Sequence, residues 1–490
     1  MRIFVIDMNK YLNIIFLAVT GICMAAGIHL AQEFRFYNIE SNDLFLYDLA
    51  DIWGRLLKTG GLSAVLASFL TQFMRVPFAG TVILTGVYLL AAFLFYKILC
   101  RKSDNMVMAG FSLLPVAFLF LCMENDYYRF QGHLAFLLML AALYAYVSIP
   151  KEKVRSIVGL LLIPVLYHAA GSVTLVFAVS ATLWEVIGSG LKGLKSLAYP
   201  VLTAATAFIY VKVSLVSSWE HALTPFMYYD WPSTYFFPAY AWTTVPALII
   251  LSWMISKLDV KPFYAKAFAV IGIVTSFIVA GNLYTKVHSK SYYRLIQEQY
   301  WAEKGDWDQI IRTADRRQPT FFISYLNLAL AQKGLLVQNY KYYNPQSLSG
   351  LMYPTPNLKT GLSLQSAVYS AFDYHAAARQ AAFDANIVTS GNCNPRQIAV
   401  LARTNAALGA YDVAEKYVRM LEKSLFYRGV AKDLRMSLGQ KEPILPKPDE
   451  YVRYDGIKGD MRDILEVDPD HPVLSQFYQL YLILEKEVKK

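Results

Sequence analysis

The sequence predicts an all-α protein in two parts, a polytopic helical membrane domain followed by a helical-repeat domain outside the bilayer. Three observations lead there. Of 490 residues, 56% are hydrophobic and only 17% charged, a balance unlike that of ordinary soluble domains. The apolar residues are concentrated in residues 1–284, in repeated runs of roughly 18–22 residues, long enough to cross a hydrocarbon core of about 30 Å. Residues 285–490 are polar by comparison and carry helical periodicity with a recurrent turn signature.

Hydropathy and length give about nine spans, at residues 11–31, 79–100, 107–123, 132–149, 156–169, 171–188, 197–216, 239–256 and 265–284. The fifth is short and contains Pro164, which predicts a bent or partial crossing. The first follows a short basic start without a small-residue cleavage pattern, so a retained span is expected. Alternate loops are basic: Arg2 and Lys10; Lys97, Arg101 and Lys102; Lys151, Lys153 and Arg155; Lys192 and Lys195; Lys257, Lys261 and Lys266. The positive-inside rule assigns these to the cytoplasm. The opposite loops, such as FMYYDWPSTYFFPAYAW, are aromatic and suit an outer interface. The expectation is a bacterial inner (cytoplasmic) membrane protein with a cytoplasmic N-terminus and an extracytoplasmic, periplasmic domain at 285–490. The net charge of +10 sits largely in these loops; it reports orientation, and no nucleic-acid partner is expected. Four scattered cysteines imply neither a disulfide framework nor a CxxC metal site.

Between the first two spans lies an amphipathic loop, residues 32–78. Phe45, Leu49, Ile52, Trp53 and Leu56 fall on one helical face, with Asp43, Asp48, Asp51, Arg55 and Lys58 on the other. Asp43 suits a helix N-cap, and Asp51 can pair with Arg55. Gly60-Gly61 breaks this helix before a second one, Leu62 to Met74.

In the outer part, GDWDQII (305–311) and GAYDVAE (409–415) share Gly-x-aromatic-Asp, and FDYHAAA (372–378) keeps the aromatic and small positions. On these residues the segment 290–430 resembles tetratricopeptide repeats, which implies stacked helix pairs turning at the glycine. Pro319, Pro395 and Pro472 suit helix starts. Residues 339–358 depart from the pattern as a Tyr/Pro/Gly-rich insertion, and 473–490 reads as a capping helix. An irregular helical domain is the other reading of the same stretch.

No phosphate-cradling Gly-x-x-x-x-Gly-Lys loop, dinucleotide Gly-x-Gly-x-x-Gly, His-Glu-x-x-His or Gly-x-Ser-x-Gly signature is present. The candidates are therefore ionisable residues that the topology puts in one outer layer. They include His29, Glu33, Arg35, Glu124, Asp126, Arg129, His133, His168, Lys212, Glu220, His221 and Asp230. His29 and Glu33 lie four apart on one helical face, and a partly desolvated carboxylate beside an imidazole suits general-base work; capping and snorkelling account for them equally. Glu124 and Asp126, with Glu33, have the oxygen chemistry for a divalent metal, although interface anchoring by Tyr127, Tyr128 and Arg129 explains that loop as well. Arg35, Arg75, Arg129 and Lys212 suit a phosphate, with snorkelling the other reading of Lys212.

The order of elements, with Glu33 directly after the first span, ESNDLFLYDLADIW, the turn at Gly60–Leu62 and PFAG opening the second span, resembles the GT-C class of membrane glycosyltransferases. That resemblance implies transfer of a sugar from a polyprenyl-phosphate carrier to a protein or glycan acceptor on the outer face. By position, Glu33 matches the catalytic base, with His29 beside it and Asp43 in reserve. Arg35, Arg129, Lys212 and His168 are the candidate donor-phosphate ligands. Glu124 and Asp126 match second-loop acids that serve an acceptor or a metal. The chain lacks the paired Asp-Glu or Asp-x-Asp of the class just after the first span. The alternative from a different class is a non-enzymatic scaffold, whose outer repeats bind an envelope protein.

Overall fold

The computed structural model describes residues 2–101, 106–213, 215–231, 237–258, 260–316, 320–343, 351, 359–389, 391, 393–439 and 456–488. The described residues are helical and hold no strand; Tyr128 and Tyr229 form an isolated antiparallel bridge. The chain forms two compact units. The first comprises Met1–Glu33 and Leu49–His288, the second Phe34–Asp48 and Ser289–Lys490. The division thus lies at 288/289, and the first loop is split between the units.

In the first unit, α1 (Arg2–Glu40) contributes its residues to Glu33. It is followed by α2 (Leu49–Leu56), α3 (Gly61–Thr71), α4 (Ala79–Leu99), α5 (Leu114–Cys122), α6 (Gln131–Val147), α7 (Glu152–Ala170), α8 (Thr174–Ser189), α9 (Ala198–Lys212), α10 (Trp219–Leu223), α11 (Phe237–Ile255) and α12 (Pro262–Val287). Among the described residues, five stretches are long and apolar enough to cross a membrane: Ala79–Leu99, Glu152–Ala170, Thr174–Lys212, Phe237–Ile255 and Phe263–Val287. The third of these is a hairpin. Gly190 takes a left-handed φ of +58° at the turn, and Thr182 of α8 donates to the Ser196 carbonyl at 2.9 Å. Gly110–Cys122 and Gln131–Val147 are shorter apolar helices. Pro164 does not interrupt α7, which runs unbroken for 19 residues.

The packing of α12 is set by two glycines. A Cβ at Gly110 would lie 1.8 Å from the Ala269 carbonyl oxygen, and one at Gly272 2.7 Å from the Phe111 amide nitrogen. Only hydrogen at both positions lets α12 lie against the turn that leads into α5, as small residues do between membrane helices. At the basic end, Arg101 donates to the Ser148 carbonyl (3.2 Å), Arg155 to that of Ile149 (3.0 Å) and Ser252 to that of Leu99 (2.9 Å). The loops that follow α4 and α6 therefore meet the end of α11 at one end of this unit.

The loop after α1 differs from its expected form. Helix α2 begins at Leu49, not Phe45, because Leu44 is drawn into the core of the second unit and Phe45 beside it is buried as well, at 3% and 5% exposure. Asp43, six residues before that helix, is not its N-cap. The expected Asp51–Arg55 pair forms at 2.8 Å, and Gly60, at φ +70°, ends the helix as anticipated. Leu49 and Trp53 are 85% and 63% exposed.

The second unit contains α13 (Lys290–Lys304), α14 (Trp307–Thr313), α15 (Thr320–Gln332), α16 (Leu336–Asn339), α17 (Lys359–Ala371), α18 (His375–Ile387), α19 (Pro395–Ala407), α20 (Tyr411–Glu422), α21 (Arg428–Gly439), α22 (Gly456–Val467) and α23 (Leu474–Val488). The three signature segments sit at turns with left-handed backbone, at Gly305 (φ +71°), Asp373 (φ +54°) and Gly409 (φ +77°). Asp373 does what glycine does at the other two, a conformation aspartate tolerates better than most residues. Pro395 is the first residue of α19. Pro319 and most of the 339–358 insertion lie outside the described residues. The last helix, α23, packs back on earlier helices of the unit, with Phe477 against Phe372 and Gln476 bridging the Leu336 amide and the Ala331 carbonyl.

Residues 34–48 are woven into this unit. Arg396 of α19 donates to Glu40 and to the Tyr37 carbonyl (2.8 and 2.6 Å), lies 3.5 Å from the Tyr37 ring centroid, and meets Glu303 at 2.9 Å. Tyr427 donates to the other Glu40 oxygen, Tyr47 N–H to the Lys423 carbonyl, and Asp48 pairs with Lys423. Leu44 packs among Ile398, Val418, Leu421 and Leu434. A fragment of residues 289–490 alone is therefore expected to expose this core and to fail to give a cooperative melting transition. Adding a peptide of residues 34–48 should restore it, as read by circular dichroism.

Glu298 adds a pH dependence. It is 1% exposed, meets Arg294 at 3.2 Å through one oxygen, and its other oxygen has no partner. Burial outweighs the guanidinium and pushes the carboxyl up to about 8. A raised carboxyl favours the fold while protonated, so this contribution is complete below the ordinary carboxylate range and is lost as pH rises through about 8. Melting of the second unit should fall between about pH 5 and pH 8.5, by on the order of a few kcal/mol in stability. Glu298→Gln, which keeps the neutral form, should flatten that slope.

Candidate functional site

Helix α1 buries Met24, Ile28 and Gln32 at 8%, 3% and 0% exposure, a stripe with the i, i+4, i+8 spacing of one helical face. The stripe faces α5 and α12. These three helices pass Met24 to Ala31, Leu113 to Phe120 and Ser276 to Tyr284 along one cavity of about 400 Å³. Its walls are almost wholly apolar: Gly27, Ile28 and Ala31 from α1, Val116 and Phe120 from α5, Phe277 and Gly281 from α12. Leu30 and Phe277, at its lip, are 82% and 38% exposed, so the cavity opens sideways from the bundle.

Each helix then delivers one polar side chain just past the cavity. Gln32 Nε2 donates to Glu124 Oε1 at 2.6 Å, and His288 Nδ1 lies 2.9 Å from Glu124 Oε2. The Glu124 and His288 side chains are 4% and 14% exposed. The Tyr284 ring stacks on the imidazole, centroids 4.6 Å apart, and so fixes its plane. With the carboxylate accepting at Nδ1, the neutral imidazole carries its proton there and its lone pair at Nε2. Gln32 Oε1 is buried and has no hydrogen-bond partner. A buried acceptor left unmet costs about 1–3 kcal/mol, and a substrate hydroxyl would satisfy it. The arrangement is an oriented base beside a hydroxyl-accepting amide, at the end of a hydrocarbon-lined slot.

Of the residues singled out from sequence, Glu124 alone is in this cluster. Glu33 is 56% exposed and 4.0 Å from His29; His29 stacks on Phe78 at 4.8 Å and contacts Thr81 Oγ1 at 3.3 Å. They occupy the neighbouring face of α1, about one residue's rotation from Gln32. Arg35 is buried in the second unit beside the Tyr292 ring, and Asp43 belongs to that unit too. Arg129 binds the Met227 carbonyl and lies 3.4 Å from Asp230, joining two loops. His168 contacts the Tyr210 hydroxyl at 3.1 Å, and Lys212 lies exposed over the Phe208 ring. The four donor-phosphate candidates are thus not gathered around the cavity. Among the described residues no group of three His, Cys, Asp or Glu side chains is placed to hold a metal ion, so Glu33, Glu124 and Asp126 do not form a ligand set.

His288, Gln32 and Tyr284 escaped the sequence reading. His288 lies beyond the end assigned to the last span, but α12 continues to Val287 and keeps His288 one turn above Tyr284, with its amide bonded to the Tyr284 carbonyl at 2.8 Å. The signal available was that four-residue spacing and an uncharged glutamine at the depth of the bilayer edge.

The chain belongs to a family of unknown function, DUF6057, which it matches over residues 9–490. No curated protein and no solved structure matches it.

The cavity can be filled without a clash, because a Cβ at Gly27 or at Gly281 would meet nothing within 4 Å. Gly281→Leu should leave the elution profile and thermal stability of the detergent-solubilised protein unchanged. It should abolish cross-linking of the wild-type protein by a photoactivatable long-chain lipid at peptides from α1 and α12.

Proposed function

We propose, for this member of the DUF6057 family, a membrane-embedded glycosyltransferase that moves a sugar from a polyprenyl-phosphate carrier to a protein or glycan hydroxyl. In this reading the first unit crosses the inner membrane nine times with its basic end in the cytoplasm. The second unit is an extracytoplasmic tetratricopeptide-like array. The observation that carries the proposal is the Gln32–Glu124–His288 cluster at the end of a sideways-opening apolar cavity. A soluble donor would need a polar, charged cleft. A lipid-linked donor needs an apolar slot for its chain and a polar reaction point at the slot's end.

His288 Nε2 accepts the proton of the acceptor hydroxyl while Gln32 Oε1 holds that hydroxyl in place. The acceptor oxygen bonds to the sugar's anomeric carbon, the bond from that carbon to the phosphate oxygen breaks, and the carrier departs as polyprenyl phosphate. Glu124 holds the imidazole and stabilises the imidazolium that forms, the division of labour seen wherever a carboxylate orients a histidine base. The resemblance to GT-C enzymes supports the donor class but places the base at Glu33; the burial and partners of Glu124 and His288 favour them instead. The scaffold reading is weaker because α19–α21 already hold the chain's own residues 44–48.

The test is glycan profiling of intact cells, paired with transfer from a polyprenyl-phosphate sugar in isolated membranes. Glu124→Gln and His288→Gln should each lose transfer by about 100-fold or more, with unchanged protein levels, while Glu33→Gln stays close to wild type. Full activity in both cluster variants would overturn the assignment. Loss in Glu33→Gln alone would return the base to α1.

A further inference from the structure

Residues Gly190–Leu197, GLKGLKSL, join α8 to α9 as an eight-residue 3₁₀ helix. Such a helix has three residues per turn and rarely exceeds three or four residues. This sequence repeats with that same period, so each residue type forms its own stripe. Gly193 and Ser196 are buried. A Cβ at Gly193 would lie 2.5 Å from the Glu185 carbonyl oxygen, so glycine is required for this close seat on the end of α8. Ser196 donates to the Gly193 carbonyl at 2.6 Å and accepts from Thr182 through its own carbonyl. Leu191, Leu194 and Leu197 form the second stripe, 86%, 46% and 51% exposed. Lys192 and Lys195 form the third, both exposed.

Three outward leucines beside two outward lysines have no counterpart inside the protein. The acid nearest in sequence, Glu185, is 3% exposed and held by both the Nε and Nη2 of Arg155 at 2.5 and 2.8 Å, so it does not neutralise them. Lys151 and Lys153, just before Arg155, are exposed as well. The flanking helices are apolar enough to lie in a bilayer, which puts the strip where hydrocarbon meets headgroups. We propose that the Gly190–Leu197 strip is a binding surface for anionic phospholipid, with its leucine stripe seated in the acyl region and Lys192 and Lys195 on headgroup phosphates. This surface is independent of the cavity and of the reaction proposed there.

The experiment uses the full chain in nanodiscs of mixed phosphatidylcholine and phosphatidylglycerol, with the retained lipid counted by native mass spectrometry. The wild type should retain phosphatidylglycerol in excess over the bulk ratio. Each lysine near an anionic surface is worth roughly fivefold in affinity, so Lys192→Gln with Lys195→Gln should lose about 25-fold, whereas arginine at both positions should keep the preference. Leu191→Ser with Leu194→Ser should lower retention of both lipids. Equal phosphatidylglycerol retention in the wild type and the double glutamine variant would overturn the proposal. Displacement of the lipid by inorganic phosphate would do so too, since the strip would then be a simple anion site.

Discussion

The burial of Arg396 is the constraint on which the second unit depends. Its guanidinium is removed from water and is kept charged by Glu40 and Glu303, whose pull outweighs the burial that opposes ionisation. Taking such a group out of water costs several kcal/mol, offset only while its partners stay in place. Glu40 comes from the end of the first helix and Glu303 from α13, so one side chain ties together parts of the chain hundreds of residues apart. The tyrosines on either side, Tyr37 stacked on the guanidinium and Tyr427 bonded to Glu40, complete the set and fix its register. Leu44 then falls into the apolar core of α19–α21.

A parallel logic operates in the first unit around Glu124. Its carboxylate is nearly inaccessible, and an amide and an imidazole meet its two oxygens from two other helices. The glycine contacts at Gly110 and Gly272 matter here, because they bring α12 close enough to α5 for His288 to reach Glu124. The cavity and the cluster are therefore products of one packing arrangement. What makes the slot apolar also makes the polar groups at its end strongly directional, since few waters compete for them.

Features with short-range causes were legible in the sequence. The apolar runs appear as helices, Gly60, Gly305 and Gly409 take the left-handed turns expected of them, and Asp51 pairs with Arg55 one turn away. The basic loops after α4 and α6 meet because alternate connections of a helical bundle share a side. What escaped depends on distant partners. Phe45 fits the periodicity of α2, yet it belongs to the second unit beside Leu44, whose core partners lie more than 350 residues later, and packing overrides the local pattern. At the cavity, Glu124 is the candidate from the sequence that lies in the cluster. His29 and Glu33 lie on the neighbouring face of α1, whereas Gln32 is buried. Periodicity tells which residues share a face of α1 but not which face meets α5 and α12.

The placement of residues 34–48 bears on how the protein is made. Chains emerge from the ribosome N-terminus first, at about 5–20 residues per second. This segment is therefore finished long before Arg396 exists, and every later helix of the first unit is made in between. For that interval, on the order of half a minute at typical rates, Leu44 has no core to enter. The second unit closes only when the last third of the chain arrives, a loop of more than 350 residues whose entropy cost grows slowly with length but whose search is slow. Truncations between the first helix and α19 would leave the segment without these partners.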